Sequence, residues 1–355
     1  MDHPLDRTIR EHCSVPVAAR SDCVRTGQMM SPGKWEPVRE DSELLQSISA
    51  AIRIPLPNQS SPIFNWEWVP SCSPCKSRTM DRKMACRALR HTRRLFLVGD
   101  SVQGQWAAGM NAFLGGSAQS LSSNAADAPY DRLDDEWNIC SAELGRPVKL
   151  TFMRDDFLWS RRDETHNRRH WVFKTKSSRD RITNWDWLQS PDLFNASKDI
   201  IIMSSGPHYH NATAFTQNMS ELARKVKGHL ATVAAPNPLP IIFRYSVGGH
   251  PRCNKFRAPY TPDEFDTMWA GIAASPGKKA HFMDGYCWHL IPFYNKVAME
   301  AFSRHDVPVI KFDIESASRL RPDSHALTDC LHLRMPGLMD HWTLWLLNAL
   351  DAMIH

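Results

Sequence analysis

The sequence predicts an α/β fold: a mainly parallel sheet with helices on both faces, in a three-layer α/β/α sandwich, behind a small irregular disulfide-stapled N-terminal subdomain. Three observations predict it. Short, continuous apolar runs recur after residue 90, as strands buried on both faces require. Segments of helical spacing separate those runs. The first 90 residues show neither pattern and are rich in Pro, Ser and Cys instead. We therefore divide the chain into an N-terminal subdomain, 1–90, and a catalytic-type domain, 91–355.

Leu95 to Val98 reads as the first strand, and Val102 to Leu114 as the helix that follows. Residues 115–145 are small and polar and read as a long surface insertion. Val148 to Met153 is the second strand and Asp199 to Met203 the third, with a helix over Thr213 to Val226. Leu239 to Arg244 is the fourth strand, Tyr294 to Ser303 a helix, Val307 to Phe312 the fifth strand, and Leu338 to Ile354 a C-terminal helix. The sequence shows no internal repeat and no low-complexity tract.

At 355 residues the chain can bury a large core, and its 42% hydrophobic and 23% charged content is ordinary for a globular protein. A net charge of +5 is too small to argue for nucleic acid, and the basic stretch from Arg87 to Arg94 reads as a solvated helix end before a buried strand. An acidic polymer such as a uronic-acid glycan is compatible with that charge. No stretch has the length of a membrane span, and residues 1–20 show no signal-peptide core. Nine cysteines and four Asn-x-Ser/Thr sequons, at Asn58, Asn195, Asn211 and Asn218, point to an oxidising lumen. Cys72-Ser-Pro-Cys75 lacks a second pair for zinc and a preceding strand for redox work, so structural disulfides are the expected use. The pairing stays open.

Two fragments carry chemistry. Leu95 to Ser101 is an apolar run ending in Gly-Asp-Ser, a strand that delivers a serine to a turn at a helix N-terminus. Asp329-Cys-Leu-His332 places a carboxylate and an imidazole three residues apart, which share a face on a helical turn or tight loop. A serine hydroxyl needs a base to take its proton, and that base needs its second nitrogen held. Ser101, His332 and Asp329 can supply these three roles. In a parallel sheet, reactive groups gather at the C-terminal ends of strands. Ser101, Ser204-Ser205-Gly206, Arg244 and the turn Val247 to His250 all fall there. The backbone N–H of Ser101 and the Ser204–Gly206 loop are the expected oxyanion donors. His208 and His210 have no acidic or Cys partner at a metal-site spacing, so no metal is expected.

With these residues in place, the chain resembles the SGNH (GDSL-type) superfamily. Within it, the chain is most similar to the trichome-birefringence-like and PC-esterase group of polysaccharide O-acetyltransferases. The resemblance runs from about Cys23 onward. It is carried by Gly33-Lys-Trp35, Trp66-Glu-Trp68 through Cys72, Gly99-Asp-Ser101, Ile242 through Arg244 to His250, Arg321-Pro-Asp-Ser-His325, and Asp329-Cys-Leu-His332 followed by Pro336-Gly337 and Asp340-x-Trp342. Three positions depart from the group. Gly104 stands where it has Arg, although Gln105 matches the Gln that follows. Ser204 stands where it has an oxyanion-donating Asn, and Arg334 replaces a cysteine, so one disulfide of the group is expected to be absent.

The resemblance implies O-acetyl transfer to a polysaccharide or glycan acceptor through an acetyl-serine. It implies no bound cofactor, an acetyl donor as co-substrate, and a Golgi-lumen or extracellular site. Asp100, Gly104, Gln105, Ser204, Gly206, Arg244 and His250 are the candidate oxyanion and substrate-binding residues. Trp66, Trp68, Trp106 and Trp159 are candidate stacking surfaces for sugar rings. An esterase using the same residues is the alternative, and a glycan-binding relative with impaired catalysis is a further one. The sequence leaves the oligomeric state open.

Overall fold

A computed structural model describes residues 33–37, 66–70, 80–116, 134–158, 194–209, 211–232, 239–273, 288–326, 329–335 and 337–354. In chain order the elements are β1 (Gly33–Pro37), β2 (Trp66–Pro70), α1 (Arg82–Ala88), β3 (Arg94–Gly99), α2 (Ser101–Phe113), β4 (Asp134–Ile139), α3 (Ser141–Leu144), β5 (Val148–Arg154) and β6 (Asp199–Met203). They continue as α4 (Ala212–Thr232), β7 (Ile241–Arg244), α5 (Pro262–Ala273), α6 (Ile291–Arg304), β8 (Val309–Phe312), α7 (Glu315–Ser318), β9 (His325–Ala326), β10 (Asp329–Leu333) and α8 (Leu338–Ile354).

Six strands form a mixed, mostly parallel sheet in the order β4-β5-β3-β6-β7-β8. Only the β4–β5 pair is antiparallel. All six residues of β3 are buried, which explains its unbroken apolar run. Successive side chains of a strand point to opposite faces. Accordingly Leu95, Leu97, Ile200 and Ile202 join one core with Cys86 of α1, Trp106 and Met110 of α2, and Trp342 and Leu346 of α8. Phe96, Val98, Ile201 and Met203 join a second core with Phe215 and Met219 of α4 and Tyr294 and Ala298 of α6. Each such side chain is stabilised by roughly 1.5–3 kcal/mol on full burial. The chain leaves β3 toward β5 on one side and later returns to β6 on the other. The C-terminal end of β3 is therefore a topological switch point, the place where open α/β sheets bind ligands.

The structure departs from the sequence reading in several places. Asp134–Ile139, inside the expected insertion, is an edge strand. Only Trp137 and Ile139 of its six residues reach the core, too few to give an apolar signal. Within the first 90 residues, β1 and β2 pair antiparallel and α1 is a helix capped by the Asp81 carboxylate. Arg94 is buried and Arg93 part-exposed, and both are ion-paired. Arg93 makes a bidentate pair with the buried Asp199 carboxylate, and Arg94 reaches Glu136 at 3.2 Å.

The 329–332 segment is extended rather than helical. It pairs with β9 through a register shift, so the helical argument that Asp329 and His332 share a face does not apply. Disulfides join Cys86 to Cys140 and Cys253 to Cys330. The first staples α1 to the end of β4, and the second ties β10 to the loop after β7. Such bonds persist in oxidising, secretory-type environments. Cys13, Cys23, Cys72, Cys75 and Cys287 lie outside the described residues. Among the described residues no helix is long and apolar enough to cross a membrane.

Candidate active site

Ser101 is the first residue of α2, directly beyond the end of β3. Asp100 is the helix N-cap. Its Oδ1 accepts from the N–H groups of Val102 (3.0 Å) and Gln103 (3.2 Å), which fixes the turn that presents the serine. The first N–H groups of a helix lack partners inside it, and that of Ser101 is one of these. Ser101 and His332 are both buried, at 6% and 8% exposure. His332 Nε2 lies 2.8 Å from Ser101 Oγ. A neutral imidazole with Nε2 unprotonated accepts the hydroxyl proton there. The structure thus brings together the serine and histidine expected as nucleophile and base. The side chain of Asp329 lies outside the described part of the structure.

His332 is held through its backbone. Gln105, one turn after Ser101 on α2, accepts from Leu333 N–H at 3.0 Å and donates back to the Leu333 carbonyl. The His332 carbonyl accepts from His325 Nδ1 at 3.1 Å. The N–H of His250 donates to the Cys330 carbonyl at 2.9 Å. His250 is therefore not a substrate-binding residue on a rim. It is 1% exposed, with Nε2 2.6 Å from the Arg319 carbonyl and Nδ1 2.5 Å from His325 Nε2. Each carbonyl accepts from the ring nitrogen facing it, and burial pushes the His250 ring down to about 4.

The side chains at the other candidate positions are engaged in packing and internal hydrogen bonds. A Cβ on Gly104 would lie 2.7 Å from Cε1 and Cζ of the Phe152 ring, so position 104 faces packing against β5 and not a ligand. Arg244 is 1% exposed; its Nε donates to Gln103 Oε1 at 2.6 Å, and its guanidinium lies 5.9 Å from the Trp106 ring and 5.4 Å from that of Trp342. Burial pushes it down to about 10, against the charge of Asp100. Ser246 Oγ donates its single proton to the Ser205 carbonyl at 2.8 Å. In the 3.2 Å contact between Ser204 and Ser246 the donor is therefore Ser204, so the hydroxyl expected at the oxyanion is already engaged. Gly206 presses on Ser246 and Ile291: a Cβ there would sit 3.1 Å from both.

The remaining motif residues build the scaffold. Trp35 Nε1 donates to the Ala317 carbonyl at 2.9 Å, and the Arg321 guanidinium lies 4.3 Å from its ring. Arg321 is itself held by both oxygens of Asp323. Asp340 accepts from Gly337 N–H at 2.6 Å, and Trp342 Nε1 donates to Ser318 Oγ at 3.0 Å. Trp106 is fully buried and donates to Thr343, so it offers no face to a sugar. Trp66 and Trp68 are part-exposed, and Trp159 lies outside the described residues. His208 packs 3.8 Å from Asp156, His210 is outside the described residues, and no metal-ligating cluster occurs among those described. The sequon at Asn218 is buried, its amide donating to the Tyr209 hydroxyl, so the folded chain cannot carry a glycan there. Asn211 is exposed, Asn195 part-exposed, and Asn58 outside the described residues.

Sequence reasoning missed His325 as a support for His332 and took Gln105 as an oxyanion or substrate-binding candidate, whereas its amide is engaged with Leu333. The spacing held a signal for the second: Ser101 and Gln105 are four apart, hence on one helix face. No family model matches the chain, and no curated protein matches it.

Proposed function

We propose that the protein is an SGNH-type O-acetyltransferase, in which the six-stranded sheet and the helices on its faces make the three-layer sandwich of that superfamily. It acts on hydroxyls of a polysaccharide or glycan, in the secretory pathway. The observation that carries this reading is the 2.8 Å contact between Ser101 Oγ and His332 Nε2 at the sheet's switch point. Ser101 Oγ attacks the carbonyl carbon of the acetyl donor and passes its proton to His332 Nε2. The oxyanion rests on backbone N–H groups, that of Ser101 at the start of α2 and those of the Ser205–Gly206 turn. The tetrahedral adduct collapses, the donor's leaving group takes the proton from His332, and acetyl-Ser101 remains. A sugar hydroxyl then attacks as His332 takes its proton, and Ser101 is released protonated. In this reading the carboxylate that orients the imidazole is assigned to Asp329.

The test is intact-mass analysis after incubation with an activated acetyl ester, with and without acceptor glycans. One acetyl group is expected on Ser101, followed by its transfer to glycan. Ser101→Ala and His332→Ala should each lower turnover by about 10⁴-fold or more. Release of free acetate at a rate indifferent to every acceptor would assign an esterase instead. No adduct on Ser101, from the ester or from a fluorophosphonate, would overturn the acyl-transfer reading.

A further inference from the structure

We infer that Gln105 is the positioning residue for His332, holding the base in register with the nucleophile through the peptide between His332 and Leu333. The inference rests on the reading of Ser101 and His332 as nucleophile and base. That single peptide plane is gripped at both ends. Its N–H donates to Gln105 Oε1 at 3.0 Å, and its carbonyl accepts from His325 Nδ1 at 3.1 Å. Gln105 Nε2 also donates to the Leu333 carbonyl, so its amide pairs with Leu333 as a neighbouring strand would. The amide is buried, at 7% exposure, where each bond is electrostatically stronger than in water.

The placement on α2 gives this clamp its purpose. Ser101 and Gln105 are one turn apart on the same rigid helix, about 6 Å along its axis. The nucleophile and the anchor of its base therefore move together, and a shift of α2 preserves the distance between them. Catalysis is sensitive at this scale, since a misplacement of 1 Å can cost about 10²-fold.

The chemistry also demands an amide. Leu333 presents one donor and one acceptor, and Gln answers with one of each. An ionised Glu answers with two acceptors and repels the Leu333 carbonyl. A protonated Glu restores the pattern, because its hydroxyl donates and its carbonyl accepts.

Two variants and two measurements test this. Fluorophosphonate labelling of Ser101 is followed against pH, and hydrogen exchange is followed over residues 329–335. Gln105→Met, similar in length but without polar atoms, should label about 10²-fold more slowly and exchange faster over 329–335. Gln105→Glu should label well only where its carboxyl is protonated, so its rate falls at high pH where wild type holds a plateau. A general packing defect would not create that falling limb. Wild-type exchange in Gln105→Met, or a wild-type pH profile in Gln105→Glu, overturns the inference. If the wild type itself never labels while Gln105→Met exchanges faster, the clamp stands and the acyl-transfer reading falls.

Discussion

The ring of Phe152 occupies the space that a side chain at position 104 would need, with Cε1 and Cζ 2.7 Å from the site of its Cβ. Phe152 is itself a core residue, 3% exposed. The Gly at the position where the resembling group carries Arg is therefore matched by a bulky neighbour on β5. Gly104→Ala should destabilise the fold by about 1–3 kcal/mol through overpacking. Adding Phe152→Leu should recover part of that loss, as residues in contact couple. Urea denaturation of the two single variants and the double variant measures the coupling. Strict additivity would show that the ring yields without cost.

Arg244 should not tolerate Lys. Its guanidinium lies 5.9 Å from the Trp106 ring and 5.4 Å from that of Trp342 while Nε holds Gln103, whose own amide donates to the Ile202 carbonyl at 3.0 Å. An ammonium cannot keep the flat Nε–H donor on Gln103 and approach both rings as well. Arg244→Lys should lose roughly 1–3 kcal/mol of stability, the cost of leaving the buried Gln103 Oε1 without its donor. Chemical denaturation reads the loss, and a midpoint equal to wild type would place Arg244 outside the load of the fold.

Asp340 sets a pH signature. Burial pushes its carboxyl up to about 7, while the Gly337 N–H works against the rise. The unfolded chain releases this proton near pH 4, so the stability tied to it declines as pH climbs from about 4 to about 7. His250 and His341, both held down to about 4 by burial, act with the opposite sign. Their contribution is present above about 6.5 and is lost as pH falls toward 4. In wild type these trends partly cancel. Asp340→Asn keeps an oxygen for Gly337 and removes the carboxyl, so stability should rise more steeply with pH across that window. The gain at pH 8 should be on the order of a few kcal/mol. Unfolding free energies from pH 4 to 8 give the slopes, and equal slopes would mean Asp340 is ionised in the fold.

The sequence carried the central strands and the serine–histidine pair for a simple reason. Strand segments buried on both faces, such as Leu95–Val98 and Ile200–Met203, must be apolar throughout, and that run is visible without any structure. β4 was not visible, because an edge strand satisfies its outer side with polar residues such as Glu136. Ser101 and His332 were legible because the proposed nucleophile and base must be particular residue types. Their supports are bonds to backbone atoms of Cys330, His332 and Leu333, which any residue possesses. Ser204 was misjudged from its position alone, since only the fold reveals that Ser246 takes its proton.

Ser101 and His332 are separated by 231 positions along the chain. At a synthesis rate of about 5–20 residues per second, the ribosome makes the serine roughly 10–50 s before the histidine. Throughout that interval Ser101 has no His332 imidazole beside it. β10 must then emerge, dock against Gln105 and be fastened by the Cys253–Cys330 bond. Under the proposed acyl transfer, the nascent chain gains its base only after all six strands of the sheet have been made.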